Sequence, residues 1–206
     1  MSSTGDLTSR VSCLIRASIA VKEILVQDPE LVSIIAKVSE LLIDAFRGKK
    51  KVILFGNGGS AADAQHIAAE FVGRFALDRA ALPALALSVN TSCITAIGND
   101  YGFDLVFARQ IEALGQAGDV AIGISTSGNS QNVLKAVSVA KDLGLRTVGL
   151  TGSPGGKLKN AVDCCICVPS HETPRIQECH ILIGHIISEL VEQTIFHDQQ
   201  SCVSRS

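Results

Sequence analysis

The chain has 206 residues, 47% of them hydrophobic, enough to bury the core of one domain of ordinary size and giving no reason to expect a second. A formal net charge of −2 supplies no basic field for nucleic acid or an anionic membrane, and with aromatics at 4% and no Trp there is no platform for stacking bases. The opening MSSTGDLTSR lacks a basic stretch followed by an apolar core, and no apolar run approaches the roughly 20 residues of a membrane span, so a cytoplasmic location is expected.

From Leu7 to Leu25, apolar residues recur at Leu7, Val11, Leu14, Val21 and Leu25, a near-heptad spacing that gives a helix one apolar stripe in need of a partner. Asp28-Pro29-Glu30 reads as a second helix start, with Asp as N-cap and Pro in the first turn. Leu31, Ile34, Ile35, Val38, Leu41 and Leu42 continue its apolar face until Gly48. The N-terminal helical extension therefore covers about 6–48.

Val52 to Phe55 is continuously apolar, as a strand covered on both faces requires. Gly58-Gly59-Ser60 follows as a turn that presents backbone N–H groups at a helix start, a setting that welcomes an anion. On that helix His66 and Glu70 stand four apart, so imidazole and carboxylate project from one face. Such a pair serves proton transfer or metal binding, or is a plain surface hydrogen bond.

Strand-like runs return at Ala84 to Val89, Val120 to Ile124, Thr147 to Leu150 and Cys164 to Val168, with helical patterns between them; Gly118 and Gly144 read as helix stops and Pro169 closes the last strand. The alternation predicts an α/β three-layer sandwich: a five-stranded parallel sheet over about 50–170, flanked by helices and collecting ligands at the strands' carboxyl ends. The final helix, about 175–197, is apolar around much of its circumference, as expected of a helix covered by another chain as well as by its own sheet. Of the seven cysteines, Cys93, Cys164, Cys165, Cys167 and Cys179 lie in apolar segments and none forms a CxxC set, which reads as buried reduced thiols rather than a zinc knuckle.

The strand ending near Ile124 delivers Ser125, Thr126, Ser127, Gly128, Asn129 and Ser130 to a helix start. Their hydroxyls and amides, with the positive end of the helix, suit a phosphate monoester without Lys or Arg; the alternative is a plain turn with Ser130 as N-cap. Gly56, Gly58 and Ala61 fit the G-x-G-x-x-A fingerprint only loosely, since the next strand ends in LSVN with no acidic residue, and no Gly-Lys-Ser/Thr triplet exists for a P-loop. In RIQECHILIGHIISE, a histidine within an apolar helix carries a cost unless it is bonded or liganded. Gln177 and His185 are eight residues apart, about 12 Å along the axis. They are therefore not expected to share one metal from one straight helix, and a site joining both to His66 and Glu70 would draw at least one of them across a subunit interface.

GNGGSAADAQHIAAEFVGR, AIGNDYGFDLVFARQIEALGQAGDV, GISTSGNSQNVLKA and RIQECHILIGH, in that order, resemble the phosphoheptose isomerase (sedoheptulose 7-phosphate isomerase) family of the sugar isomerase (SIS) domain superfamily, from Leu31 to Ile195. The resemblance implies one SIS domain over 1–206. It further implies an aldose–ketose isomerase that converts sedoheptulose 7-phosphate to D-glycero-D-manno-heptose 7-phosphate through an enediol. Asn57, Gly58, Gly59, Ser60, Glu70, Asn99, Asp100 and Gln177 are implied to contact the sugar, with Ser125, Thr126, Ser127 and Ser130 on its phosphate. Glu70 and His185 are implied to transfer the proton, and His66, Glu70, Gln177 and His185 to hold one zinc per subunit, in a homotetramer with active sites between subunits. The chain departs from some relatives at Pro174, where they carry Asp. The superfamily also hosts non-catalytic modules, sugar-phosphate sensors and regulators of DNA replication; retention of His66, Glu70, Gln177 and His185 favours the enzyme.

Overall fold

Two long helices precede the sheet, α1 (Thr4–Gln27) and α2 (Pro29–Arg47), in a computed structural model that describes residues 4–203, with side chains over 6–196. The Asp28 carboxylate caps α2 as the sequence predicts, accepting from the amides of Glu30 at 2.9 Å and Leu31 at 3.1 Å. The strands are β1 (Val52–Gly56), β2 (Ala84–Ala86), β3 (Val120–Ile124), β4 (Arg146–Gly152) and β5 (Cys164–Val168). All pair in parallel, in the order β2-β1-β3-β4-β5.

The connecting helices are α3 (Gly59–Val72), α4 (Thr91–Tyr101), α5 (Ala108–Leu114), α6 (Gln131–Asp142) and α7 (Leu158–Ala161), and α8 (Thr173–Val203) closes the chain. Every residue of β1 and β3 is buried because alternate side chains face different layers. Val52 and Leu54 pack with Ile35, Leu42, Ile67, Phe71 and Ile183 of α2, α3 and α8. Ile53 and Phe55 pack on the opposite face with Ile111, Val133 and Val137 of α5 and α6. The result is the predicted α/β three-layer sandwich.

Some boundaries differ from the pattern. β2 stops at Ala86, because after the Leu87 amide bonds Leu54 O at 2.9 Å the chain turns away and Asn90 caps α4 through the Cys93 amide at 3.1 Å. β4 extends to Gly152, which pairs with Val168. The stop expected at Gly118 falls earlier: α5 is capped at Gly115, and Gly118 (φ +87) forms a tight turn whose amide bonds Gly144 O at 3.0 Å. Gly144 (φ +78) does follow the end of α6. Among the described residues the cysteines are free: Cys164 and Cys179 are buried, Cys93, Cys165 and Cys167 only half-buried, and Cys13 exposed. The seventh, Cys202, lies outside the described side chains. No helix among the described residues is long and apolar enough to cross a membrane.

Candidate active site

β1 and β3 are neighbours, yet the helices that follow them leave for opposite faces of the sheet, α3 for the α2/α8 layer and α6 for the α5 layer. A crevice must open where such crossovers diverge, at the carboxyl edge of a doubly wound sheet. The two Gly/Ser loops found in the sequence border this crevice.

In the first loop Gly58 has φ +55, a conformation that side chains rarely adopt, and nothing lies within 4 Å of where its Cβ would stand. The side of the turn at Gly58 is thus open, while the first amides of α3 are taken up by the turn itself, Ala61 and Ala62 bonding Gly58 O at 3.0 and 3.2 Å. The Ser60 amide bonds Asn57 O at 3.0 Å and its side chain is buried. Asn57 also exchanges side-chain amide hydrogen bonds with Asn132, at 2.9 and 2.8 Å, so the loop that leads into α3 is tied to the first turn of α6.

The second loop folds on itself. Gly128 (φ +66) returns its amide to Ser125 O at 3.0 Å, the Ser127 hydroxyl accepts from the Asn129 amide at 3.2 Å, and Thr126 O accepts from the Gly152 amide at 3.0 Å. Ser130 occupies the N-cap position of α6, but its hydroxyl makes no capping bond; it lies 2.9 Å from the Ser125 hydroxyl. A serine present only to cap would turn to the helix amides. The Ser130 hydroxyl is thus turned to its own loop rather than to the helix amides.

The third part of the site comes from α3 packed beside α8 in the same direction. A Cβ on Gly59 would run into the Gln177 amide, and one on Gly184 into the Ile67 side chain, so glycine at both points allows the close approach. This parallel register carries His66 and Glu70 to His185 of the same chain. His66 Nε2 is 2.8 Å from His185 Nε2 and 3.2 Å from the Glu70 carboxylate, and the three offer ligand atoms all within 4.8 Å of one another. Of the two α8 residues, His185 joins His66 and Glu70 within one chain, because two helices in parallel contact bring it to His66 directly. Gln177 is placed apart, its carboxamide against the Gly59 turn, near the loop end of the crevice. Asn99 and Asp100 lie exposed on α4, bonded to each other at 2.8 Å.

Burial shapes the remaining charges. It lifts the Asp63 carboxyl to about 6, against the opposing pull of His66, and one Asp63 oxygen is buried without a hydrogen-bond partner. Burial likewise pushes His180 down to about 4, keeping that ring neutral despite its contact with Thr151 O at 3.3 Å. Sequence reasoning passed over Asn132, Asp63 and Phe75, whose ring lies 5.8 Å from that of His185. Asn132 follows the serine loop directly and Asp63 precedes His66 by one turn, so both were within sight of a motif; Phe75 had no such signal.

The SIS domain family models match residues 19–152 and 106–199. A phosphoheptose isomerase of Sulfurimonas denitrificans is 55% identical, covering 89% of this chain and 94% of its own. One from Aneurinibacillus thermoaerophilus is 56% identical, covering 90% and 93%. The solved phosphoheptose isomerase of Neisseria gonorrhoeae superposes with a TM-score of 0.85 at 44% identity, covering 91% of this chain and 99% of that one.

Proposed function

Because the chain belongs to the phosphoheptose isomerase family of SIS domain proteins, which are aldose–ketose isomerases, we propose that it converts sedoheptulose 7-phosphate to D-glycero-D-manno-heptose 7-phosphate through an enediol. The observation that carries this reading is the convergence of Glu70 and His185 with His66 on α3, the helix that opens at the first Gly/Ser loop. Ser125, Thr126, Ser127 and Ser130 hold the phosphate through hydroxyls and the positive end of α6. Asn57, Gly58, Gly59, Ser60 and Gln177 meet the sugar along the first turn of α3.

Isomerisation takes a proton from one carbon and returns it to the next. A carboxylate and an imidazole suit this because each accepts a proton in one protonation state and returns it from the other. Glu70 and His185 stand on different helices with their polar atoms within 4.8 Å, so both can reach one pair of adjacent substrate carbons.

The donor set His66, Glu70 and His185 fits zinc: two imidazole nitrogens and a carboxylate oxygen lie within 4.8 Å of one another and would hold the ion. Gln177 is the proposed additional ligand, supplied by a neighbouring copy. When bound, zinc polarises the carbonyl and stabilises enediolate charge. Without a metal, the His66 and His185 Nε2 atoms are within hydrogen-bond reach at 2.8 Å, so each ring orients the other.

We further read the chain as one SIS domain over 1–206 that works as a homotetramer with shared sites. α1 leaves Leu7, Val11, Leu14 and Ile15 more than half exposed, and α4, which carries Asn99 and Asp100, buries none of its residues in its own chain. Such apolar faces are expected to be covered by other copies. Free thiols among the described residues and a formal net charge of −2 fit a cytoplasmic enzyme of small metabolites without nucleic-acid or membrane partners. Incubation with sedoheptulose 7-phosphate, followed by NMR for aldose formation, tests the reading, and no turnover with or without added zinc overturns it.

A further inference from the structure

A buried ion pair, Arg79 with Glu192, lies beyond the groups that meet substrate and joins the two helices that carry them. Glu192 stands seven residues after His185 on α8, about 10 Å or two turns along the axis. Its carboxylate accepts four hydrogen bonds: from the amides of Phe75 at 2.9 Å, Ala76 at 2.7 Å and Leu77 at 2.8 Å, and from Arg79 Nε at 2.7 Å. Both side chains are only 2% exposed.

Arg79 spends its remaining donors on the end of α3. Nη2 bonds Glu70 O at 2.8 Å, and Nη1 bonds Phe71 O at 2.9 Å and Ala80 O at 3.0 Å, satisfying carbonyls that a helix terminus leaves without partners. The guanidinium also sits 5.4 Å from the centre of the Phe196 ring. Burial alone would raise the Glu192 carboxyl, but the hydrogen bonds from Leu77, Ala76, Phe75 and Arg79 outweigh it and hold the group charged.

Stability alone would not require this wiring. A buried ion pair is often no better than well-packed apolar side chains, so its retention calls for a geometric reason. Here the reason is on either side of it. One partner grips the backbone oxygen of Glu70 itself, and the other fixes the amide of Phe75, whose ring packs 5.8 Å from that of His185.

We propose that Arg79 and Glu192 are positioning residues that hold Glu70 on α3 and His185 on α8 in register for proton transfer. This rests on the reading of Glu70 and His185 as the transfer pair. Neither positioning residue touches substrate. A displacement of about 1 Å between such groups costs on the order of 10²-fold in rate, which a rigid fork of hydrogen bonds prevents.

The test uses the full-length protein with Glu192→Gln and Arg79→Lys, the second keeping the charge while losing the fork. Both are expected to lower kcat about 10²-fold while the dissociation constant for sedoheptulose 7-phosphate, read by calorimetry, stays within about threefold. Added to Glu70→Gln, each should cost little further rate, because the residue being positioned is already lost. In metal-free protein at one fixed pH, the His185 ring signals should move in NMR spectra while those of His180 stay. Unchanged kcat, unmoved His185 signals, or failure of both variants to fold overturns the proposal. Moved His185 signals in a protein that never turns over the sugar would overturn the substrate assignment and leave the positioning role standing.

Discussion

His66 and His185, separated by 119 positions in the chain, face each other Nε2 to Nε2 at 2.8 Å. Two imidazoles in that arrangement either share a proton, one donating and the other accepting, or turn both lone pairs to a common cation. Glu70, 3.2 Å from His66, adds the negative charge that makes the second state favourable.

Metal binding should therefore depend on His66 more than on any group of the phosphate loop. His66→Ala is expected to lower zinc affinity at least about 10²-fold by titration calorimetry, because it removes one of three convergent donors. Ser127→Ala is expected to leave zinc affinity unchanged. Equal affinity of wild type and His66→Ala would remove the metal from this site.

Glu70→Gln keeps the size of the side chain but deletes its capacity to take a proton. Turnover of sedoheptulose 7-phosphate should fall on the order of 10³- to 10⁴-fold while binding persists. Retained activity in single-turnover assays would exclude Glu70 as the transfer group.

On the proposed reading, the Ser130 hydroxyl, 2.9 Å from that of Ser125 and without a capping bond, donates to the phosphate. Ser130→Ala should raise KM about tenfold, the value of one hydrogen bond to a charged group, with kcat nearly unchanged. A fall in kcat at constant KM would place the hydroxyl in the chemistry instead.

His180 lies buried with its ring nitrogen Nδ1 unpartnered and its pKa held down at about 4. The unfolded chain takes up the proton first, near 6.5, so this histidine contributes no penalty above that pH and destabilises the fold increasingly as pH falls from 6.5 towards 4. At pH 5 the loss is about 2 kcal/mol. Urea unfolding at pH 7 and pH 5 should show that difference in wild type and a smaller one in His180→Gln; equal slopes would mean the ring is not held neutral.

Leu14 is 61% exposed on a helix with one apolar stripe, a state that assembly would relieve. Leu14→Asp is expected to reduce the sedimenting mass below that of a tetramer and to reduce turnover with it. Full activity in a stable monomer would defeat the shared-site reading.

Much of this protein was written locally. Periodicity placed both N-terminal helices and all five strands, since a parallel sheet buried on both faces needs continuous apolar runs and its crossovers need amphipathic ones. The two loops were legible for a related reason: positive φ at Gly58 and Gly128 demands glycine, and the loops' hydroxyls and helix starts fall within a few adjacent positions. Where β2 ends and where α5 stops depended on long-range hydrogen bonds, and the pattern missed both.

Tertiary structure alone decided which side chains meet. Axial arithmetic on α8 correctly separated Gln177 from His185, but nothing in one helix foretold that α3 would lie beside it in the same direction, close enough for Gly59 to touch Gln177 and Gly184 to touch Ile67. That parallel contact sets His185 against His66 within a single chain. It also lets Arg79 and Glu192, 113 positions apart, close a hydrogen-bonded bridge between the two helices. Sequence records the spacing along each helix, because that is a property of the backbone; the offset between helices is a property of packing, and only the folded chain contains it.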